Sequence, residues 1–458
     1  MTAGIAPGWG GDGQVAAGLL LAGEHDGEQD GGLAGRVQAE AAARMAAEAS
    51  AAGRAGSGRL AATGRAALCR RVIREVLDGE AARALAAGTP PLAADTEALL
   101  ERAVFDALCG LGGFQPYLDD PLVENVNANG CDQVFVRYAD GHRARVPPVA
   151  ASDAELEDLV RAIAARAGIE ERRFDRGCPR LSVPLPDGGR LFAVMAVAAR
   201  PCVAIRRDRL AAATLTDLVR NGTMSGEVAA FLAAAVRARK NILISGGTAV
   251  GKTTLLRALA SAIGPHERLV TIEDSLELCL DRDREAHPDA VALQAREPNV
   301  EGQGEVSLAE LVRWALRMSP DRVIVGEVRG REVVPMLNAM SQGNDGSMTT
   351  LHASSSRGAF MKLAAYAAQT EEHLRLEDTN LLIAGAVHFV VQLDYAPGGQ
   401  RVVSSIREVT DADGRQVVSN EIYAPGPDRR AARAAPLRTA TAEELAAAGR
   451  GPGEAGGL

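Results

Sequence analysis

Gly246-Gly-Thr-Ala-Val-Gly-Lys-Thr-Thr254 is the stretch on which the reading of this chain turns. It matches G-x-x-x-x-G-K-[ST] through Gly246, Gly251, Lys252 and Thr253, a spacing that carries meaning only with the right flanks. Asn241-Ile-Leu-Ile-Ser245 ahead of it reads as a short buried strand, and Thr253-Thr-Leu-Leu-Arg-Ala-Leu-Ala260 behind it reads as a helix. A strand passing through a Gly-rich turn into a helix gathers backbone N–H groups at one spot, where their aligned dipoles favour phosphate oxygens. Gly246, Gly247, Thr248, Ala249, Val250, Gly251, Lys252, Thr253 and Thr254 are therefore the expected phosphate cradle. Lys252 would reach the β- and γ-phosphates of ATP, and the Thr253 hydroxyl would hold Mg²⁺.

Outward from this loop, residues 227–424 alternate apolar strands with amphipathic helices, the pattern of a mostly parallel sheet covered on both faces. Strands are expected at 241–245, 268–273, 323–326, 347–351 and 386–393. Hydrolysis needs acids beside the phosphates, and ligands in open α/β sheets sit at the carboxyl ends of the strands. Thr271-Ile-Glu-Asp-Ser-Leu-Glu277 and Arg322-Val-Ile-Val-Gly-Glu-Val-Arg329 both close apolar strands with carboxylates. An ordinary metal-binding strand would end in Asp where Gly326 stands, which leaves Glu327 alone. Glu327 is assigned to polarising the attacking water, and Glu273 and Asp274 to the water shell of Mg²⁺. His352 closes Ser347-Met-Thr-Thr-Leu-His352 in the same way, and its place beside the other strand ends suggests a sensor of the γ-phosphate. The histidines show no paired ligand spacing of the kind a zinc site needs.

The rest of the chain divides by composition. Residues 1–58 are rich in Gly and Ala and read as a disordered tail, although 37–49 can form a transient Ala-rich helix. Apolar residues at helical spacing (Leu68, Val72, Val76, then Leu99, Leu100, Val104, Leu108) mark a helical region over 59–113. From 114 to 213 the pattern is mixed: a strand at 133–137, a helix over 152–167, and a hairpin through Leu185-Pro-Asp-Gly-Gly-Arg190. That stretch is a smaller α/β domain, and 214–226, with its Asn-Gly and Ser-Gly breakers, reads as a linker. Residues 425–458 read as a second disordered tail.

Composition excludes several classes. The formal net charge of −9 offers no global attraction to nucleic acid, and aromatics at 3% leave few rings for stacking on bases, so direct nucleic-acid binding is not expected. The six cysteines show no C-x-x-C pair, so neither a disulfide framework nor a zinc ribbon is signalled. No apolar run approaches the roughly 20 residues that span a bilayer, and Glu24, Asp26 and Glu28 sit where a signal peptide would be basic. A cytoplasmic protein that meets the membrane only through partners is the expectation.

These blocks together resemble the type II and type IV secretion ATPase superfamily, most closely the tight-adherence (Flp) pilus assembly ATPases of the CpaF/TadA type. Supporting text is Asn299-Val-Glu-Gly-Gln-Gly-Glu305, the run Ala315 to Gly330, and Gly343-Asn-Asp-Gly-Ser-Met-Thr-Thr-Leu-His-Ala353. Upstream, Val123-Glu-Asn-Val-Asn-Ala-Asn-Gly130 and Ile205-Arg-Arg207 resemble the same family's N-terminal domain. The resemblance implies a RecA-like P-loop NTPase C-terminal domain beside a smaller α/β N-terminal domain. It also implies a homo-hexamer that hydrolyses ATP and pushes on inner-membrane platform proteins of a pilus or secretion system. It makes Lys252 and Thr253 the Walker A residues, Glu273 and Asp274 the aspartate box, Glu327 the catalytic glutamate and His352 the histidine box. Arg190, Arg206 and Arg207 match the N-terminal arginines that grip phosphate, a task suited to a permanently charged group with paired donors.

The chain departs from the pattern at Ala249-Val250, where Gly-Ser is usual, at Asn344, where His is usual, and at Pro184, where Arg is usual. Lys252, Thr253, Glu327 and His352 are untouched. Two other classes share this core: a conjugation-type or nucleic-acid-translocating ATPase, and a nucleotide-gated scaffold with weak turnover.

Overall fold

The computed structural model describes residues 32–54, 62–167, 173–185, 188–207, 213–298 and 301–449. It divides into two compact units, the first ending at Arg209 and the second beginning at Leu210.

In the first unit, helices Leu33–Arg54, Ala62–Ala86 and Ala94–Cys109 share a core of Val37, Cys69, Val72, Ile73, Val76, Leu100 and Val104. The first of these helices falls inside the stretch predicted to be a disordered tail. Val37 and Ala41 are wholly buried against the neighbouring helices, so burial supplies what an Ala/Gly-rich composition does not advertise. The remainder of that predicted tail lies outside the described residues.

The mixed region is an antiparallel sheet of six strands, β1 (Val123–Asn129), β2 (Val134–Tyr138), β3 (Arg143–Val146), β4 (Arg180–Pro184), β5 (Arg190–Val194) and β6 (Cys202–Arg206). Their order is β3-β2-β1-β6-β5-β4. Strict alternation puts Val126, Ala128, Val134, Val136, Leu191, Ala193, Val203 and Ile205 on one face, in a core that the helix Asp153–Arg166 shares through Leu156, Val160 and Ile163. Ser152 caps that helix, its side chain accepting the N–H of Glu155.

The second unit carries a nine-stranded sheet: β7 (Ile242–Gly246), β8 (Leu269–Glu273), β9 (Ala290–Gln294), β10 (Arg322–Val328), β11 (Met348–His352), β12 (Phe389–Tyr395), β13 (Arg401–Ala412), β14 (Val417–Pro425) and β15 (Ala431–Arg433). The order is β15-β14-β13-β12-β7-β11-β10-β8-β9. All pairings from β9 across to β12 are parallel, and those from β12 to β15 are antiparallel. The five expected strands are present with ends within three residues of those read from sequence, whereas β9 and the antiparallel extension were not foreseen.

Ile242 and Ile244 face one core with helices Gly226–Arg237 and Lys252–Ala260; Leu243 faces the other with helices Leu308–Ala315, Val333–Ser341, Gly358–Ala367 and Leu376–Ala386. This is the helix-covered α/β architecture expected from the alternation of elements.

Two boundaries differ from expectation. The stretch 214–226 is no linker: Thr214 closes a capping box with Asp217 on helix Leu215–Arg220, Ser225 caps the next helix, and Leu215, Leu218 and Met224 are buried in the core. The predicted C-terminal tail holds β15 and helix Thr439–Gly449, which packs on Gly226–Arg237 through the buried Leu445. Among the described residues no helix is long and apolar enough to cross a membrane.

Candidate active site

Register brings the predicted residues of the second unit to one edge. Gly246, the last residue of β7, pairs with His352 of β11 on one side and Leu393 of β12 on the other. The turn beyond Gly246 contains Ala249 at φ 61° and Gly251 at φ 95°. Glycine takes that conformation freely, whereas alanine pays a steric cost there. Ala249 is held by its carbonyl, which accepts from Tyr395 Oη and Arg401 Nε at 3.0 Å each. That bracing gives the Ala249 departure a physical account.

Helix Lys252–Ala260 starts with no side-chain cap, so the first-turn amides are suited to an anion. Thr253 and Thr254 are half-buried on this turn. Lys252 is buried, and its Nζ donates to Gly247 O at 2.8 Å and Gly246 O at 3.3 Å. The same Nζ lies 3.1 Å from His352 Nδ1. Burial, and then the Lys252 charge, hold the His352 pKa below its ordinary value. A neutral ring facing an ammonium must present its Nδ1 lone pair, which leaves the proton on Nε2. His352 Nε2 lies 2.7 Å from Glu327 Oε1, close but off-axis for a good hydrogen bond.

Glu327 therefore does not stand alone. The β10–β11 ladder shifts register between Val325 and Val328, a local irregularity that spans Gly326 and Glu327. Thr350 Oγ1 donates to Gly326 O at 2.7 Å and fixes that irregularity. On its other side Glu327 faces Arg329 Nε at 3.4 Å, and Arg329 also grips Asp274. Lys252, His352, Glu327, Arg329 and Asp274 form one unbroken string of polar contacts.

Glu273 differs from its neighbour Asp274. It is buried, with Oε1 accepting the N–H groups of Glu277 and Leu278 at 3.0 Å each and Oε2 lacking a hydrogen-bond partner among the described residues. Burial pushes its carboxyl up to about 7. It also explains Gly326: a Cβ there would come within 2.9 Å of Glu273 Cγ. The acid missing from β10 has its space filled by an acid from β8. Among the described residues no group of three or more His, Cys, Asp and Glu converges to hold a metal ion. A hard cation that keeps waters and takes substrate phosphate oxygens suits such a site, and the orphaned Glu273 Oε2 is the acceptor such a water would meet.

Arg190, Arg206 and Arg207 belong to the first unit. Arg190 and Arg206 are direct cross-strand partners on the sheet face away from the core. Arg207 is set apart, donating from Nη1 to Asp120 O at 2.7 Å.

Residues 112–418 match the family model described as "Type II/IV secretion system protein". The chain belongs to that family. A "Putative conjugal transfer protein" of Mycobacterium tuberculosis is 36% identical over 331 residues, 70% of this chain and 91% of that protein. A "Probable conjugal transfer protein TrbB" of Sinorhizobium fredii is 31% identical, covering 70% and 92% respectively. The solved VirB11 ATPase of the Brucella suis type IV secretion system is 30% identical over 65% of this chain and 92% of its own, at a TM-score of 0.36.

This secretion-system family protein is an ATPase, as expected from its phosphate loop, its strand-end acids and the family resemblance together. Two residues of its site escaped sequence reading. Arg329 stands two positions after Glu327, just past the end of β10, and a cation so near the assigned base is the signal that offered it. Thr350 carried no such signal, since its role depends on the register shift in the neighbouring strand.

Proposed function

We propose that this ATPase is a homo-hexameric motor that powers a secretion or pilus-assembly machine through inner-membrane platform proteins. The observation that carries the chemistry is the string from Lys252 to Asp274 along the strand tips. Lys252 and the first-turn amides would hold the terminal phosphates, while Thr253, Glu273 and Asp274 would hold the water shell of Mg²⁺. A bound magnesium ion supplies charge neutralisation on the phosphates. Glu327 would orient and polarise the attacking water, accepting its proton. His352, neutral and set between Lys252 and Glu327, would register whether a γ-phosphate occupies the lysine. Arg190, Arg206 and Arg207 are carried as phosphate contacts by resemblance to the tight-adherence pilus ATPases, the subfamily we favour. The protein would then work on the cytoplasmic face of the membrane.

Glu327→Gln tests this reading. It is expected to bind ATP with near-parental affinity and to lose about 100-fold or more in kcat. Turnover at the parental rate would remove Glu327 as the base.

A conjugation-type or nucleic-acid-translocating motor is the second reading, favoured by the conjugal transfer proteins among the relatives. It predicts that single- or double-stranded DNA stimulates phosphate release with steep salt dependence. Platform-protein or lipid stimulation with no response to DNA supports the first.

A further inference from the structure

Behind the string of strand-tip residues, a buried arginine ties the phosphate-loop helix to the segment that follows β8. Arg257 lies on helix Lys252–Ala260 four residues after Thr253, so the two share one face of that helix, a turn apart. Arg257 is 4% exposed, and its guanidinium meets loop backbone: Nε donates to Leu278 O at 3.3 Å and Nη2 donates to Glu277 O. These are the same two residues whose N–H groups Glu273 Oε1 accepts at 3.0 Å each. Glu277 and Leu278 are thus held by their amides from the tip of β8 and by their carbonyls from the phosphate-loop helix.

Packing fixes this clamp. Leu278 is buried in the same core as Leu255, Leu256 and Leu259 of the helix. The near end of the segment is tied as well, since Gln294 of β9 donates to Asp274 O at 3.1 Å and Arg329 grips the Asp274 carboxylate. Closing a loop does not by itself call for a buried charge, because neutral donors satisfy carbonyls and a guanidinium is costly to desolvate. What the guanidinium adds is spacing: a rigid plane bonded to two successive carbonyls sets both the distance and the tilt of the loop against the helix.

We propose that Arg257 is a positioning residue for the magnesium-dependent step, setting the distance between Thr253 on the helix and Glu273 and Asp274 at the end of β8. The inference rests on the proposed role of those three residues in holding the water shell of Mg²⁺. Arg257 acts on that shell only through the Glu277–Leu278 clamp. Loosening the clamp leaves every acid in the chain but lets the loop drift from the helix, so the cation is held less tightly while the phosphate-binding amides are untouched.

Full-length Arg257→Gln keeps a donor and gives up the fork. It is expected to raise the Mg²⁺ concentration for half-maximal phosphate release about tenfold. Affinity for a fluorescent ADP analogue in EDTA should stay at the parental value. Arg257→Lys, which offers one ammonium in place of the fork, should fall between the two proteins. An unchanged Mg²⁺ response in the folded Gln variant overturns the assignment; so does metal-free ADP binding that weakens as much as the Mg²⁺ response, because the arginine would then serve the phosphate loop. Thr253→Ala and Asp274→Ala keep the two levels apart. If neither moves the Mg²⁺ response, the proposed shell falls and this inference with it; if both move it and Arg257→Gln does not, this inference alone falls. Hydrogen exchange on the parent chain covers a variant that does not fold. Exchange at the amides of Glu277 and Leu278 should slow severalfold when Mg²⁺ is added to the ADP-bound protein, as the shell tightens the clamp from the side of the acids. Equal exchange with and without Mg²⁺ sinks the proposal.

Discussion

Arg329 joins two carboxylates, Glu327 on one side and Asp274 on the other. A planar guanidinium holds both at once through separate nitrogens, a geometry that one ammonium reproduces poorly. Arg329→Lys is expected to lower kcat about tenfold with a smaller change in KM for ATP, measured by steady-state phosphate release; equal losses in both would mean that it acts on binding. Asp106 offers a second test, of stability. Burial raises its carboxyl from 3.8 to about 6. A raised folded-state pKa means that the stabilisation is fully present below the unfolded value and is lost as pH climbs through about 6. Asp106→Asn should therefore unfold at higher urea than the parent at pH 7.5, by on the order of 2 kcal/mol, with the gap closing below about pH 4. Lys252, Glu327 and His352 were legible as site candidates because strand tips in such a sheet converge. The burial of Glu273 and the bridging by Arg329 were not, because both depend on how neighbouring strands are registered.

The elements show the same division. Buried parallel strands such as Ile242–Gly246 lie at the centre of the sheet, whereas β9, Ala290-Val-Ala-Leu-Gln294, is half-buried along its whole length at the sheet's edge, and its short apolar run was passed over. The breakers in 214–226 misled for a simple reason: Thr, Ser, Asn and Gly serve both as helix caps and as hinge residues, and only the buried Leu215 and Leu218 tell the two apart. The Ala-rich helix Thr439–Gly449 was hidden by composition, and of Leu33–Arg54 only a transient helix over 37–49 was expected, since alanine reads alike in a tail and in a packed helix. Leu445→Ala removes the apolar anchor of helix Thr439–Gly449 and should cost about 2–3 kcal/mol, read as a lower Tm. At the junction of β8 and β10, Gly326→Asp would install the ordinary acid of a metal-binding strand. It is expected to destabilise the fold and abolish turnover because Glu273 fills that space. The double variant with Glu273→Ala should regain stability, and failure to regain it would show that the clash lies elsewhere.

At the scale of the molecule, the strand tips of the second unit gather the polar chemistry, while the opposite ends of the strands are tied by a different device. Arg322, the first residue of β10 and 1% exposed in its side chain, grips Glu267 through two bonds of 2.7 Å; Arg239 holds the same carboxylate at 2.7 Å. Arg322 also donates to Val236 O at 2.8 Å. Glu267→Gln would leave a buried guanidinium short of its counter-charge, a loss on the order of 3–5 kcal/mol, visible as insoluble or low-melting protein. Exposed pairs such as Arg71 with Glu48 sit in water, where mobile ions shield them within about 10 Å at 0.1 M. Arg322 and Glu267, with side chains 1% and 9% exposed, are screened far less. Raising sodium chloride to molar concentration should therefore cancel what exposed pairs such as Arg71 with Glu48 contribute and leave Arg322 with Glu267 standing, so that the drop in melting temperature caused by Glu267→Gln persists in salt.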